Sequence, residues 1–202
     1  MLSIERTVPP DDPGWTHELK FDGYRVLAEV DSGRVVLMTR NGTDATSWFP
    51  EVAQGLAALR QGRHIVDGEM CVLDELGRSD FDRLLDRAKR RGCRHPGSDP
   101  VVFCAFDLLI YRGEDIRSWE LADRKTMLRV LLRRPVPSVL LVNDLPGRGV
   151  WLYGQACALK MEGIVSKRLD SQYESGKRST AWVKVKRPGA VPPERFRRDT
   201  NT

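Results

Sequence analysis

The chain has few cysteines, and their spacing does not indicate metal or redox chemistry. The four are Cys71, Cys93, Cys104 and Cys157, and no two of them have the separation of a zinc finger or a redox pair. Cys93 and His95 share a basic stretch, but no further ligands accompany them. We therefore expect four reduced thiols in a cytosolic protein.

Long apolar runs are also missing. The N-terminal residues show no basic segment followed by an apolar run, so we expect no secretory signal. No apolar run approaches the roughly 18 residues that a membrane-spanning helix needs. These absences predict a cytoplasmic protein with no membrane partner.

The composition fits a globular domain with an excess of positive charge. The 202 residues are 41% hydrophobic and 30% charged, which allows one domain with a substantial core. The net charge of +5 and the pI of about 9.2 suit a polyanionic partner such as nucleic acid or nucleotide. An ordinary basic soluble protein has the same balance, so charge alone does not decide between them.

The hydrophobic pattern favours a mixed order of strands and helices. Strands are predicted over 16–39 with a hairpin turn at 31–33, and over 64–73, 101–111, 139–143, 163–167 and 182–186. Helices are predicted over 50–60, 79–91, 121–132 and 151–160. No strand–helix–strand unit repeats, which predicts an α+β fold with antiparallel sheets flanked by helices.

The predicted helix over 79–91 carries a cationic face. We expect Ser79 to cap it and Asp82 to complete a capping box. The cations are either a solvated face that suits the helix dipole or a contact surface for a phosphate backbone. They are Arg83, Arg87, Lys89, Arg90 and Arg91.

Lys20 lies within a predicted strand, where a lysine is an unusual choice for a buried face. To attack phosphorus it must lose its proton, and desolvation or neighbouring cations lower the pKa of a lysine. Lys184 and Lys186 share one face of the last predicted strand and offer such cations. The alternative is a solvent-facing edge strand, where lysines oppose aggregation.

The residues that follow Lys20 suit a phosphate site. We expect Asp22 on Lys20's own side of the strand, and Gly23 frees the backbone at this point. Arg25 adds a guanidinium fork that matches phosphate oxygens. This short match is weak on its own.

Further short motifs place polar or aromatic residues at the ends of apolar strands or helices. In chain order they are Arg40-Asn41-Gly42, Asp67-Gly68-Glu69, Phe106-Asp107, Glu162-Gly163 and Lys184-x-Lys186. With Lys20-x-Asp22-Gly23, the series resembles the motifs of covalent nucleotidyltransferases, and more closely the adenylation domain of ATP-dependent DNA ligases. The bacterial end-joining branch is most similar, on residues 162–168 followed by Tyr173, Gly176, Arg178, Ser179 and Trp182. The resemblance extends over residues 9–187.

The resemblance implies an ATP-grasp-like nucleotidyltransferase domain over 1–187, with a nucleotide cleft between its sheets. It implies that Glu18 and the backbone of Leu19 read the adenine edge and that Phe106 stacks on the base. Glu69 would bind the ribose hydroxyls. Arg25 and Arg40 would hold ribose and phosphate.

The resemblance also implies the chemistry. Lys20 would attack the α-phosphate of ATP and carry a covalent AMP, while Lys184 and Lys186 grip that phosphate. Asp22 and Glu162 would hold Mg²⁺ or Mn²⁺. The implied activity is ATP-dependent ligation of nicked or broken double-stranded DNA by a monomer, in DNA repair and recombination.

The sequence departs from the ligase pattern after Arg187. ATP-dependent ligases continue into an OB-fold, whereas residues 188–202 read as a basic, flexible tail. We therefore expect the OB-fold to be absent, or supplied by a separate chain or end-joining protein. Two alternatives stay open: an enzyme like an RNA ligase or a capping guanylyltransferase, and a non-catalytic module that binds nucleotide or DNA ends.

Overall fold

The computed structural model describes residues 1–59, 62–90 and 97–190. The helices are α1 (Pro50–Leu56), α2 (Phe81–Lys89), α3 (Leu121–Leu131) and α4 (Gly149–Ala158). The strands are β1 (Leu2–Glu5), β2 (Trp15–Lys20), β3 (Tyr24–Asp31), β4 (Arg34–Thr39), β5 (His64–Val72), β6 (Val101–Tyr111), β7 (Glu114–Asp115), β8 (Val139–Leu141), β9 (Asp144–Pro146), β10 (Gly163–Arg168) and β11 (Arg178–Lys186).

These strands form two sheets. The first has the order β1-β11-β10-β2-β9, and the second has the order β4-β3-β5-β6-β7 with β8 beside β6. The pairs are antiparallel except for β1 with β11 and β6 with β8, which are parallel. The predicted α+β class is confirmed. Strands β1, β7 and β9 were not predicted, because they are short and have no clear alternation of their own.

Each sheet packs one face against helices. Val26, Ala28 and Val30 of β3 alternate along the strand and join a core that includes Leu84 of α2 and Leu128 of α3. A separate core lies between α4 and the first sheet, around Leu152, Ala156, Ile164, Val183 and Val185. Because side chains alternate along a strand, the opposite faces are left to line a cleft between the sheets.

Helix α2 corrects two predictions. It begins at Phe81, and the side chain of Asp80, not Ser79, accepts a hydrogen bond from the backbone N–H of Arg83 at 3.0 Å. The predicted capping box is therefore wrong. Arg87 is buried and donates to the Glu51 carboxylate, so it belongs neither to a solvated face nor to a phosphate-binding one.

Several predictions concern residues outside the described ranges. Cys93, His95 and Arg91 lie outside the described residues, as does the tail from 191 onward. The three described cysteines are free thiols. Among the helices of the described part of the chain, none has the length and apolarity required to cross a membrane.

Candidate active site

A cleft of about 250 Å³ separates the two sheets. The first sheet supplies side chains from β1, β2, β10 and β11, and the second supplies side chains from β3, β5 and β6. Most residues predicted for the site meet here. They are Glu18, Leu19, Lys20, Arg25, Arg40, Glu69, Phe106 and Lys184.

Lys20 lies at the end of β2, at the floor of this cleft. Its Nζ donates to Glu162 Oε2 at 2.6 Å and to the Phe21 carbonyl at 3.3 Å. The register of β2 with β10 places Lys20 opposite Gly163, which brings the preceding Glu162 within reach. The Lys20 side chain is 19% exposed and that of Glu162 is 6% exposed, so the pair is largely shielded from water.

The lowered pKa predicted for Lys20 is wrong for this state. Desolvation by burial does lower the pKa of Lys20, but the charge and hydrogen bond of Glu162 outweigh it and the pKa is raised. Each of the two predicted neighbouring cations has a carboxylate of its own nearby, and for Lys186 it is the same Glu162 that pairs with Lys20. Lys184 Nζ lies 3.1 Å from Glu5 Oε2, and Lys186 Nζ lies 3.9 Å from Glu162 Oε1.

Arg25 is held in the cleft by a buried carboxylate. Its Nε and Nη2 donate to Asp67 Oδ1 and Oδ2 at 3.0 and 2.6 Å, in a two-pronged pair. The Tyr173 hydroxyl donates to Asp67 Oδ2 at 2.7 Å and completes the carboxylate's shell. The guanidinium then lies 5.5 Å from the Phe106 ring and 5.6 Å from the Trp182 ring. No role was predicted for Asp67, because its partner Arg25 is remote in sequence.

Glu69 lies beside Arg25, its partner across the β3–β5 ladder. Desolvation by burial raises the pKa of Glu69 to about 7, although Lys20 and Arg25 act in the opposite direction. Near neutral pH this carboxyl group can therefore both donate and accept hydrogen bonds.

Aromatic rings close the other end of the cleft. Phe106 and Trp182 meet edge to face with ring centroids 6.1 Å apart. Lys167 Nζ lies 4.3 Å from the Phe106 centroid and 4.2 Å from that of Trp182, a cation–π arrangement. Desolvation by burial lowers the pKa of Lys167.

Glu18 forms ion pairs with two buried lysines. Lys125 Nζ, from α3, lies 2.5 Å from Glu18 Oε1, and Lys167 Nζ, from β10, lies 2.7 Å from Glu18 Oε2. No role was predicted for either lysine. The lysine in the apolar run of β10 was a signal that could have been used, whereas nothing local marks Lys125.

Asp22 and Glu162 line a second hollow, next to the cleft, of about 280 Å³. Strand β2 ends at Lys20, so the prediction that Asp22 shares Lys20's strand face is wrong. The backbone N–H of Asp22 instead donates to Ser79 Oγ at 2.9 Å. Two carboxylates in one hollow are a donor set that suits a hard divalent cation. Among the described residues, no group of three or more acidic, histidine or cysteine side chains forms a metal site.

Gly23 allows the loop after Lys20 to lie close to β5. A Cβ atom at this position would lie 1.9 Å from the Met70 carbonyl oxygen, which is far inside contact distance. Gly23 was expected to free the backbone at this point, and the structure shows that the absence of a side chain makes room for Met70.

Comparison with solved structures identifies the class of fold. The structure aligns with mycobacterial DNA ligase D complexed with ATP and MES at a TM-score of 0.80 and 32% identity, covering 92% of this chain and 58% of that one. It aligns with Chlorella virus DNA ligase-adenylate at a TM-score of 0.61 and 15% identity, which shows the fold alone. The fold and its cleft are those of the nucleotidyltransferase domains of ATP-dependent DNA ligases.

The sequence comparisons define the family. The family described as "ATP dependent DNA ligase domain" matches residues 2–186, and the chain belongs to it. The chain is 38% identical over 174 residues to the multifunctional non-homologous end joining protein LigD of Pseudomonas aeruginosa, which covers 85% of this chain and 20% of that protein. It is 33% identical over 177 residues to the SPbeta prophage-derived DNA ligase-like protein LigB of Bacillus subtilis, covering 88% and 63%.

The resemblance to the bacterial end-joining branch is thereby confirmed. The chain spans about a fifth of the length of the multifunctional LigD relatives it matches.

Proposed function

We propose that this domain is the catalytic core of an ATP-dependent DNA ligase. In the first step the Lys20 amine attacks the α-phosphorus of ATP. A nitrogen–phosphorus bond forms, the bond from that phosphorus to the bridging oxygen breaks, and pyrophosphate leaves with the electron pair. AMP is then transferred to a 5′-phosphate of DNA, and the 3′-hydroxyl displaces it to close the strand.

The observation that carries this proposal is the position of Lys20. A primary amine lies at the floor of a cleft whose walls carry Arg25, Arg40 and Lys184, cations that can offset part of the negative charge of a triphosphate. In the state described, Lys20 is bound to Glu162. Attack requires that this contact open and that the amine lose its proton, because an ammonium group has no lone pair.

The remaining walls suit a nucleoside. Phe106 offers an aromatic face for the base, beside Glu18 and the backbone of Leu19. Glu69, with its pKa near neutrality, offers hydrogen bonds to ribose hydroxyls. Positioning of this kind supplies most of the catalysis in phosphoryl transfer, since the protein does little covalent chemistry itself.

Asp22 and Glu162 are the residues that would hold a divalent cation, Mg²⁺ or Mn²⁺. Their carboxylate oxygens are the ligand type that these ions prefer, with phosphate oxygens and water completing the shell. The ion would supply positive charge to the phosphate groups.

The proposed substrate is nicked or broken double-stranded DNA, in end-joining repair. Support comes from the names of the LigD relatives and from the positive net charge of this chain. A monomer that works with a separate OB-fold or an end-joining protein is the proposed assembly.

Intact mass measurement with and without ATP tests the chemistry. We expect the wild type and the control Lys177→Ala, which changes an exposed lysine, to gain the mass of one AMP. Lys20→Ala should gain none. No gain by the wild type, or a gain that persists in Lys20→Ala, would contradict the proposal.

A sealing assay separates the ligase from a non-catalytic binding module. We expect the wild type to join a nick whose 5′ end already carries AMP, because that step needs no lysine–AMP bond. Lys20→Ala should join this substrate better than an ordinary nick. A protein that binds both nicks but joins neither is a binding module.

A further inference from the structure

Two buried lysines contact the Glu18 carboxylate: Lys167, which lines the cleft, and Lys125, which does not. The Glu18 side chain is 3% exposed, and those of Lys125 and Lys167 are 2% and 1% exposed. The lysines contact different oxygens of the carboxylate. Because a carboxylate has about four lone-pair positions, Glu18 can accept a further hydrogen bond on the side that lines the cleft.

Lys125 reaches Glu18 from the other half of the fold. It lies on α3, which packs against β6 of the second sheet, whereas Glu18 lies on β2 of the first. Its Nζ also lies 3.4 Å from the Val142 carbonyl oxygen and 3.4 Å from Asp144 Oδ1. Lys125 thus joins three segments at the position of Glu18, but its own side chain does not line the cleft.

Stability alone is a weak explanation for this cluster. Buried ion pairs lose much of their Coulombic gain to desolvation, and apolar replacements are often neutral or stabilising. A cluster that holds one carboxylate with defined orientation at a cleft wall suits recognition of a ligand.

We propose that Lys125 is a positioning residue for base selection in the cleft. The inference rests on the proposed function. Lys125 holds Glu18 as a group that only accepts hydrogen bonds, facing the edge of the purine that stacks on Phe106. A purine with an amino group at position 6 donates a hydrogen bond to Glu18. A purine with a carbonyl group there places one acceptor, its carbonyl oxygen, against another, the Glu18 carboxylate.

The test measures self-labelling of the protein with three nucleotides that differ at the purine 6-position. They are ATP, its 6-deamino analogue purine riboside triphosphate, and inosine triphosphate. In the wild type we expect KM for the 6-deamino analogue to exceed that for ATP about tenfold or more, as for a hydrogen bond to a charged group. Inosine triphosphate should label more weakly still.

Lys125→Met should lose most of this discrimination. We expect its KM for ATP to rise to the value for the 6-deamino analogue, while labelling with that analogue matches the wild type in KM and in rate at saturation. A merely structural role would weaken all three nucleotides together. Lys125→Arg, which keeps the charge, should restore part of the preference for ATP.

Arg129→Gln is the matched control. Arg129 lies one turn further along α3 and pairs with Asp144, but it does not contact Glu18. We expect this variant to keep the wild-type ratios among the three nucleotides.

The inference is overturned if Lys125→Met keeps the wild-type ratios, or if its labelling falls equally with all three nucleotides. Should that variant fail to fold, Lys125→Gln takes its place under the same criterion. A wild type that takes no label from ATP overturns the proposed function as well. A wild type that labels from ATP, with ratios indifferent to Lys125, overturns this inference alone.

Discussion

At the scale of single residues, charged side chains of the cleft form ion pairs, and a bound ligand must rearrange these pairs. Lys20 is protonated against Glu162, and Arg25 is fixed against Asp67. The two pairs differ in accessibility. The Asp67 carboxylate is fully buried, whereas Glu162 is slightly exposed and lines the second hollow, where a cation can compete for it.

Glu69 gives a residue-scale prediction about stability and pH. Its pKa is 4.5 for an ordinary glutamate and about 7 in the folded protein. The stability that the neutral acid contributes is therefore fully present below pH 4.5 and is lost as pH rises through 7. Glu69→Gln stays neutral, so its free energy of unfolding relative to the wild type should rise between pH 5 and pH 8, by on the order of 2 kcal/mol.

Urea unfolding at several pH values measures this difference, with the exposed Glu114→Gln as the control. A difference between Glu69→Gln and the wild type that stays constant from pH 5 to pH 8 would show that Glu69 is ionised like any surface carboxylate.

At the scale of elements, residues of the site lie at the ends of strands. Lys20 ends β2, Glu162 precedes β10, and Lys184 lies near the end of β11. Antiparallel pairing of β2 and β11 with β10 brings these ends together. A strand fixes its side chains more firmly than a loop does, which suits a nucleophile that must meet phosphorus at a set distance.

The turn after β2 gives an element-scale prediction. In Gly23→Ala, the new methyl group would overlap the Met70 carbonyl, so we expect a loss of about 1–3 kcal/mol in the free energy of unfolding. Gly154→Ala in α4 is the control, since no atom lies within 4 Å of its Cβ position. That change should be neutral or slightly stabilising, because alanine favours a helix.

Labelling of Gly23→Ala with ATP should also fall, because the backbone that follows Lys20 must move away from β5. Equal stability and labelling in the two glycine variants would show that the turn accommodates a side chain.

At the scale of the whole molecule, buried ion pairs join distant parts of the fold. Arg124 of α3 donates to both oxygens of Asp107 in β6 at 2.9 Å, and also to the carbonyls of Trp119 and Ser171. All of the Arg124 side chain is buried. The pair thus connects a helix, the second sheet and the segment that leads towards β11.

Removal of one partner gives a whole-molecule prediction. Asp107→Ala leaves the Arg124 charge buried without its carboxylate, and we expect a loss of about 3–5 kcal/mol in the free energy of unfolding. The double variant Asp107→Leu with Arg124→Met should recover much of that loss. Chemical denaturation measures both.

Arg117→Ala is the surface control, because Arg117 and Asp115 form an exposed pair. Exposed pairs contribute about 0–1 kcal/mol, so this variant should unfold close to the wild type. If Asp107→Ala lowers the free energy of unfolding no more than this control does, the buried pair does not stabilise the fold as proposed.

The sequence by itself determined the class of fold and most of the cleft. Alternation of apolar residues marks β3 and β11, because one face of each strand must be buried, and a dense apolar run marks β6 as a central strand. The ordered motifs around Lys20, Glu69 and Phe106 marked residues that the structure gathers at one cleft. The short strands β1 and β9 escaped prediction, since their pairing partners are remote in sequence.

Tertiary structure alone decided which charges meet. Lys20 has a raised pKa because β10 brings Glu162 to it, and Arg87 is buried because α2 packs beside Glu51. Lys125 contacts Glu18 because α3, which packs against β6 of the second sheet, places this side chain beside β2 of the first. Coulombic energy and desolvation depend on distances in space and on burial, and neither is written in the local pattern of a sequence.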